Sequence, residues 1–144
     1  MICEYLIFRD EDGNKGIPPV YQTKLAACAD VAMPKRIIVP PLSTAKIDLL
    51  IGFSIPDNMK IIMYPRSSLL IKKRVIQPVS IIDADYSGQH VHIPLYNPTN
   101  SSIIFEGGER VAQIECVPRY DVASWNRKEE ERIGGFGSTG VKDE

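Results

Sequence analysis

Asp83 and Asp85 lie two residues apart in the run Ile82-Asp83-Ala84-Asp85-Tyr86-Ser87-Gly88. On an extended chain such carboxylates point the same way. One can then take a proton from water while the other pairs with a cation; an Asx turn leading into the next strand is the alternative. Near the C-terminus, Gly134 to Gly140 reads Gly-Gly-Phe-Gly-Ser-Thr-Gly. Glycines let successive backbone N–H groups face one anion, with the Ser138 and Thr139 hydroxyls as added donors. The lone Phe136 offers a face for a flat partner such as a nucleobase, where a plain linker would gain nothing from it. The lysine of a P-loop is missing at that spacing. Tyr64-Pro65-Arg66-Ser67-Ser68-Leu69 sets a planar guanidinium fork beside a hydroxyl and the N–H groups of a possible helix start, or else forms an ordinary capped turn. In Gly108-Glu109-Arg110-Val111-Ala112-Gln113, Arg110 and Gln113 open a strand, as anion ligands or as interstrand partners.

The elements that must position these groups read as strands. In Gln89 to Leu95 the apolar Val91, Ile93 and Leu95 alternate with His90 and His92, the period of a half-buried strand. Similar short runs occur at Ile2 to Phe8, Arg36 to Val39, Ala45 to Leu50, Met59 to Tyr64, Ser102 to Phe105 and Arg110 to Cys116, separated by Pro-, Asn- and Gly-rich turns. Only Ser67 to Lys73 and Tyr21 to Ala27 look briefly helical. Many short strands at regular spacing predict an all-β sandwich or barrel. After about Tyr120 the chain turns polar and then glycine-rich, which predicts an arm over 121–144 on a β core of about 1–120, one domain in all.

At 144 residues and with a balanced charge of −1, a two-domain enzyme and a protein that coats nucleic acid are both poor fits. Any anion must be met by placed charges. Cys3, Cys28 and Cys116 form an odd set without CxxC spacing, so neither a disulfide framework nor a zinc knuckle is expected, and a reducing, cytoplasmic setting is the simpler reading. No apolar run approaches the roughly 18 residues of a membrane span, and no membrane association is expected. His90 and His92 lack an evident third ligand and read as a polar sheet face or subunit contact. Cys28 has no implied His partner for nucleophilic catalysis, and Trp125 reads as pinning the start of the arm to a neighbour.

In order and spacing, the stretches resemble the five motifs of homotrimeric dUTP pyrophosphatases (dUTPases). Ala27 to Val31 resembles the first, Pro65 to Leu69 the second, Ser80 to Gly88 the third, Gly108 to Gln113 the fourth and Gly134 to Gly140 the fifth. The resemblance implies a distorted jelly-roll subunit, a homotrimer whose sites combine motifs from neighbouring subunits, and Mg²⁺-assisted hydrolysis of dUTP to dUMP and pyrophosphate. That activity would limit uracil incorporation into DNA and supply dUMP for dTMP synthesis.

By the same resemblance Asp83 orients and deprotonates the attacking water, and Tyr86 packs against deoxyribose. Arg66, Ser67, Ser68 and Gln113 serve the phosphates, Gln77 lies at the uracil contact, and Asp30 reaches Mg²⁺ through water. Phe136 stacks on the base, with Arg132, Gly137, Ser138 and Thr139 toward the terminal phosphate. Several positions depart from the pattern: Cys28 and Ser80 replace glycines, Ala29 an aromatic, Gln77 an asparagine, and Glu131 an arginine, with Arg132 one residue nearer Phe136. Two alternatives remain. A dCTP deaminase shares the fold and an Arg-Ser-Ser-Leu-like segment, but Gln89 to Tyr96 holds no Glu for deamination. A jelly-roll protein keeping the pocket as a nucleotide sensor is the other.

Overall fold

The computed structural model describes residues 2–130 and Arg132. β-Branched and apolar residues spaced by turns build ten strands among these residues: β1 (Glu4–Ile7), β2 (Ala29–Ala32), β3 (Ile37–Val39), β4 (Ser43–Asp48), β5 (Ile51–Ser54), β6 (Met59–Pro65), β7 (Ser80–Ile82), β8 (His92–Asn97), β9 (Ile103–Phe105) and β10 (Arg110–Pro118). They pair antiparallel in a four-stranded sheet, β2-β10-β6-β7, and three two-stranded ladders, β1-β5, β3-β9 and β4-β8. This is an all-β fold, as the patterning predicts, and a jelly roll, as the family resemblance implies.

Alternation explains what goes inside. Val91, Ile93 and Leu95 are buried, while His90 and His92 are half-exposed. Ile61 and Met63 of β6, Ala112 and Ile114 of β10, and Ala29 and Val31 of β2 meet with Phe105 and Val39 in one core. The opposite face of the same sheet carries Asp30, Tyr64, Gln113 and Glu115. The register Gln113↔Tyr64 and Gln113↔Asp30 sets these three side by side.

Several expectations change. Tyr21 to Ala27 is not helical. Val20 and Asp30 exchange both backbone hydrogen bonds, at 3.0 and 2.8 Å, so the segment between them must return as a loop, with one turn closed by Ala26 N–H to Thr23 O. The helical stretch after Ser68 is a single wide turn, Leu69–Lys73, ended by Arg74 at φ 58°. β4 stops at Asp48 because Leu50 adopts φ 55°.

The cysteine expectation is also corrected. Cys3 and Cys116 are joined as a disulfide with Cα atoms 6.6 Å apart, and Cys28 alone is free. A separation of 113 residues hid the pair, since only the tertiary fold brings the N-terminal segment beside β10. The cysteine count therefore no longer argues for a reducing setting. No helix among the described residues is long and apolar enough to cross a membrane.

Candidate active site

Two groups of the expected site residues form in this chain, on different parts of the fold. The first lies at the end of the four-stranded sheet. β6 runs out at Pro65, so Arg66, Ser67 and Ser68 leave the ladder just where β10 enters it. A register shift between Arg110 and Ala112 lets Arg110 face β2, the re-aiming that a bulge performs beside functional sites. Gln113 is fixed from the neighbouring strand β6, its Nε2 donating to the Pro65 carbonyl at 3.1 Å.

Asp30, with a side chain only 14% exposed, sits between two guanidiniums: Arg66 Nε at 3.7 Å and Arg110 Nη1 at 3.4 Å. Arg66 Nη1 also donates to the Arg110 carbonyl at 3.2 Å. Around them opens a cleft of about 330 Å³ lined by Gln22, Ala26, Cys28, Asp30, Arg66, Ser67, Ser68 and Gln113. A cleft lined by one guanidinium, two hydroxyls and two amides, with Arg110 paired to its Asp30, can take a multiply charged anion. Cys28 stands at its wall with a thiol pushed up by burial and by Glu115 and Asp30, so it is not set up as a thiolate nucleophile. Glu115 in turn accepts the Tyr64 hydroxyl at 2.6 Å.

The second group is the hairpin after β7. Asp83 precedes a 3₁₀ turn, Ala84–Tyr86, closed by Tyr86 N–H to Asp83 O at 3.0 Å. The two carboxylates do face one partner: Arg132 Nη2 donates to Asp83 Oδ2 at 2.5 Å and its Nε to Asp85 Oδ1 at 2.7 Å. Asp85 is the largest cause raising the guanidinium above its ordinary value. Arg132 also lies 6.0 Å from the Tyr86 ring centre. The Tyr86 ring is 7% exposed and its phenol is pushed up, chiefly by burial. Its hydroxyl donates to the His90 carbonyl at 2.6 Å. Upstream of β7, Gln77 is 7% exposed, and neither its Nε2 nor its Oε1 has a partner among the described residues. A buried amide left unpaired costs about 1–3 kcal/mol, which makes it a candidate ligand contact.

Gln77, Asp83, Tyr86 and Arg132 are not in the lining of the phosphate-type cleft. Phe136, Gly137, Ser138 and Thr139 lie outside the described residues. Sequence reasoning passed over the side-chain interactions of Asp48 and His90: Asp48 Oδ2 meets His90 Nδ1 at 2.8 Å. An acid and a histidine 42 residues apart carry no local signal.

For a metal, the donor set decides. Among the described residues no cluster of three or more His, Cys, Asp or Glu could hold an ion. Asp30, engaged by two guanidiniums, fits an outer contact through water to an ion carried on a polyphosphate, and does not fit a direct protein cage.

Comparison with known proteins bears on family and fold. The family profile described as dUTPase matches residues 14–140. A deoxyuridine 5'-triphosphate nucleotidohydrolase of Hydrogenobaculum sp. is 32% identical over 131 residues, 86% of this chain and 90% of that protein. In fold, the chain is similar to the crystal structure of a dUTPase from Streptococcus mutans, with TM-score 0.74 and 22% identity over 82% of this chain and 97% of that one. It is equally similar, at TM-score 0.74 and 18% identity over 90% and 98%, to a mutant dUTPase from a phage of S. aureus, phi11, whose structure reveals coordination of a structural Mg(II) ion.

Proposed function

Since the chain belongs to the dUTPase family, we propose that it hydrolyses dUTP to dUMP and pyrophosphate. The observation that carries this reading is the cleft in which Arg66, Ser67, Ser68 and Gln113 converge around a doubly paired Asp30. Asp83 is the base. It is an exposed carboxylate, its side chain 54% accessible, and a general base needs hydrogen-bond reach to its water. The water oxygen attacks the α-phosphorus, its proton passes to Asp83, and the bond from that phosphorus to the bridging oxygen breaks to release pyrophosphate.

Arg66 and the Ser67 hydroxyl hold the negative charge that grows on the leaving group. Gln113 positions phosphate or its water, Ser68 lines the same cleft, and Tyr86 packs on the deoxyribose. Gln77 offers its unpaired amide to the uracil edge. Arg132, Phe136, Gly137, Ser138 and Thr139 belong to the arm that closes over base and terminal phosphate, excluding bulk water. Mg²⁺, carried on the phosphates with Asp30 reaching it through water, would screen the triphosphate's charge.

The separation of cleft and hairpin within one chain supports a homotrimer in which each site takes its parts from neighbouring subunits. We read the chain as a single domain, β core 1–120 with arm 121–144, working in the cytoplasm on free nucleotides without binding nucleic acid or membrane. There it limits uracil incorporation into DNA and supplies dUMP for dTMP synthesis. The test is pyrophosphate release from dUTP, dTTP, dCTP and UTP with Mg²⁺, beside native mass. Turnover of dUTP alone by a trimer is expected. Ammonia release from dCTP, or no turnover of any of the four, overturns the reading.

A further inference from the structure

Tyr86 is held by something its own turn does not supply. The 3₁₀ turn contributes two backbone hydrogen bonds, Tyr86 N–H to Asp83 O and Ser87 N–H to Ala84 O. The ring end is fixed by the hydroxyl, which donates at 2.6 Å to the carbonyl of His90. His90 lies just before β8 begins at His92 and outside its ladder. The placement of the phenol therefore depends on what holds His90.

Its ring is gripped on two sides. One face stacks on Phe8, with centroids 3.9 Å apart and planes 14° from parallel. Nδ1 lies 2.8 Å from Asp48 Oδ2; the carboxylate can only accept, so that nitrogen carries the proton. The other Asp48 oxygen takes the Leu50 N–H at 2.8 Å, which orients the acid. Phe8 is anchored in turn by its N–H to Leu50 O at 2.9 Å and by Gly16 N–H to its own carbonyl at 3.1 Å. Gly52 makes the room: a Cβ there would lie 2.5 Å from Gln89 O and 2.9 Å from the Phe8 ring. Phe8 and Asp48, from two distant segments, thus converge on the His90 ring, while the His90 carbonyl takes the Tyr86 hydroxyl and lies 3.1 Å from His92 Nδ1. Packing alone would have been satisfied by an apolar side chain at position 90.

We infer that Phe8, His90 and Asp48 form a clamp that positions Tyr86, and through Tyr86 sets how strictly the site separates a deoxyribose from a ribose triphosphate. This rests on the proposed packing of Tyr86 against the sugar. A 2′-hydroxyl is rejected only in proportion to the stiffness of the group it strikes, and a misplacement of about 1 Å in a supporting shell costs up to roughly 10²-fold in rate. His90 is a positioning residue and touches no substrate in this scheme.

The test is the ratio of the UTP inhibition constant to the dUTP KM, with kcat for dUTP, in wild type, Tyr86→Phe, Tyr86→Ala, His90→Ala, His90→Asn and the double variant Tyr86→Phe/His90→Ala. His90→Ala should lower the ratio about tenfold, the size of one lost hydrogen bond, with kcat nearly unchanged. His90→Asn, which keeps an N–H donor toward Asp48, should restore most of it. The double variant should be no worse than Tyr86→Phe alone, since Tyr86→Phe already removes the hydrogen bond through which the clamp acts. Phe8→Leu carries the same expectation should His90→Ala fail to fold. If His90→Ala keeps the wild-type ratio while Tyr86→Ala loses it, or if the two losses add, the clamp is overturned and the sugar contact stands. If Tyr86→Ala keeps the ratio, both fall.

Discussion

Asp30 and Asp83, both assigned to the proposed site, are carboxylates that the fold treats in opposite ways. Asp30 lies on β2, is 14% exposed, and meets two guanidiniums, those of Arg66 and Arg110, that leave the same sheet. Asp83 precedes a three-residue turn, is 54% exposed, and with Asp85 meets one guanidinium, from Arg132 of the arm. An acid placed between two cations can hold both in position for a phosphate, the role proposed for Asp30. An exposed acid covered by one removable cation can be uncovered when the arm turns to substrate. The cleft is thus prepared by the sheet, while the hairpin carboxylates are held by a contact that substrate replaces in the proposed mechanism.

Two substitutions break that contrast most sharply. Asp83→Asn keeps size and turn geometry but removes the proton acceptor, so kcat for dUTP should fall by about 10³, the scale of general-base catalysis, with KM little changed. Arg66→Ala should lower kcat/KM by about 10², in keeping with one lost charge-stabilising donor, through KM as well as kcat. Its loss also leaves Asp30 with Arg110 alone. Steady-state pyrophosphate release checks both. Equal profiles for the two variants would erase the distinction between a working acid and a structural one.

Much of the cleft was legible because its residues are local words: Arg66-Ser67-Ser68 follows a strand end and Gln113 lies inside a strand, so spacing places them. β8 was legible for the same reason, since burial of Val91, Ile93 and Leu95 follows the period of two. β5 shows no alternation to read, since Ile51, Gly52 and Phe53 are all buried. The ring contact of Phe8 with His90 joins positions 82 residues apart by numbering (90 − 8), and no window holds both. The Cys3–Cys116 bond is the extreme case. It ties the N-terminus to β10, away from the hairpin's own hydrogen bonds. Reducing it should lower stability by about 2 kcal/mol, the low end for a native disulfide, because β10 stays laddered to β2 and β6. Thermal unfolding with and without dithiothreitol measures this, and the ratio of UTP inhibition constant to dUTP KM should not move.

Gln77 yields the smallest effect and the sharpest sign. Its amide is buried with both polar atoms unpaired among the described residues, an arrangement that costs stability in the empty protein and becomes favourable only when a ligand supplies a donor and an acceptor. Gln77→Met keeps the length and apolar stem but removes that amide. The variant should unfold at higher temperature, by about 1 kcal/mol of added stability, and should bind dUTP more weakly, with a raised KM. A residue serving structure alone would move both quantities in the same direction. Opposite movement, seen by thermal unfolding without nucleotide beside KM for dUTP, marks the amide as kept for the base. If stability falls as well, Gln77 belongs to the scaffold and the hairpin's reading of uracil must come from its backbone.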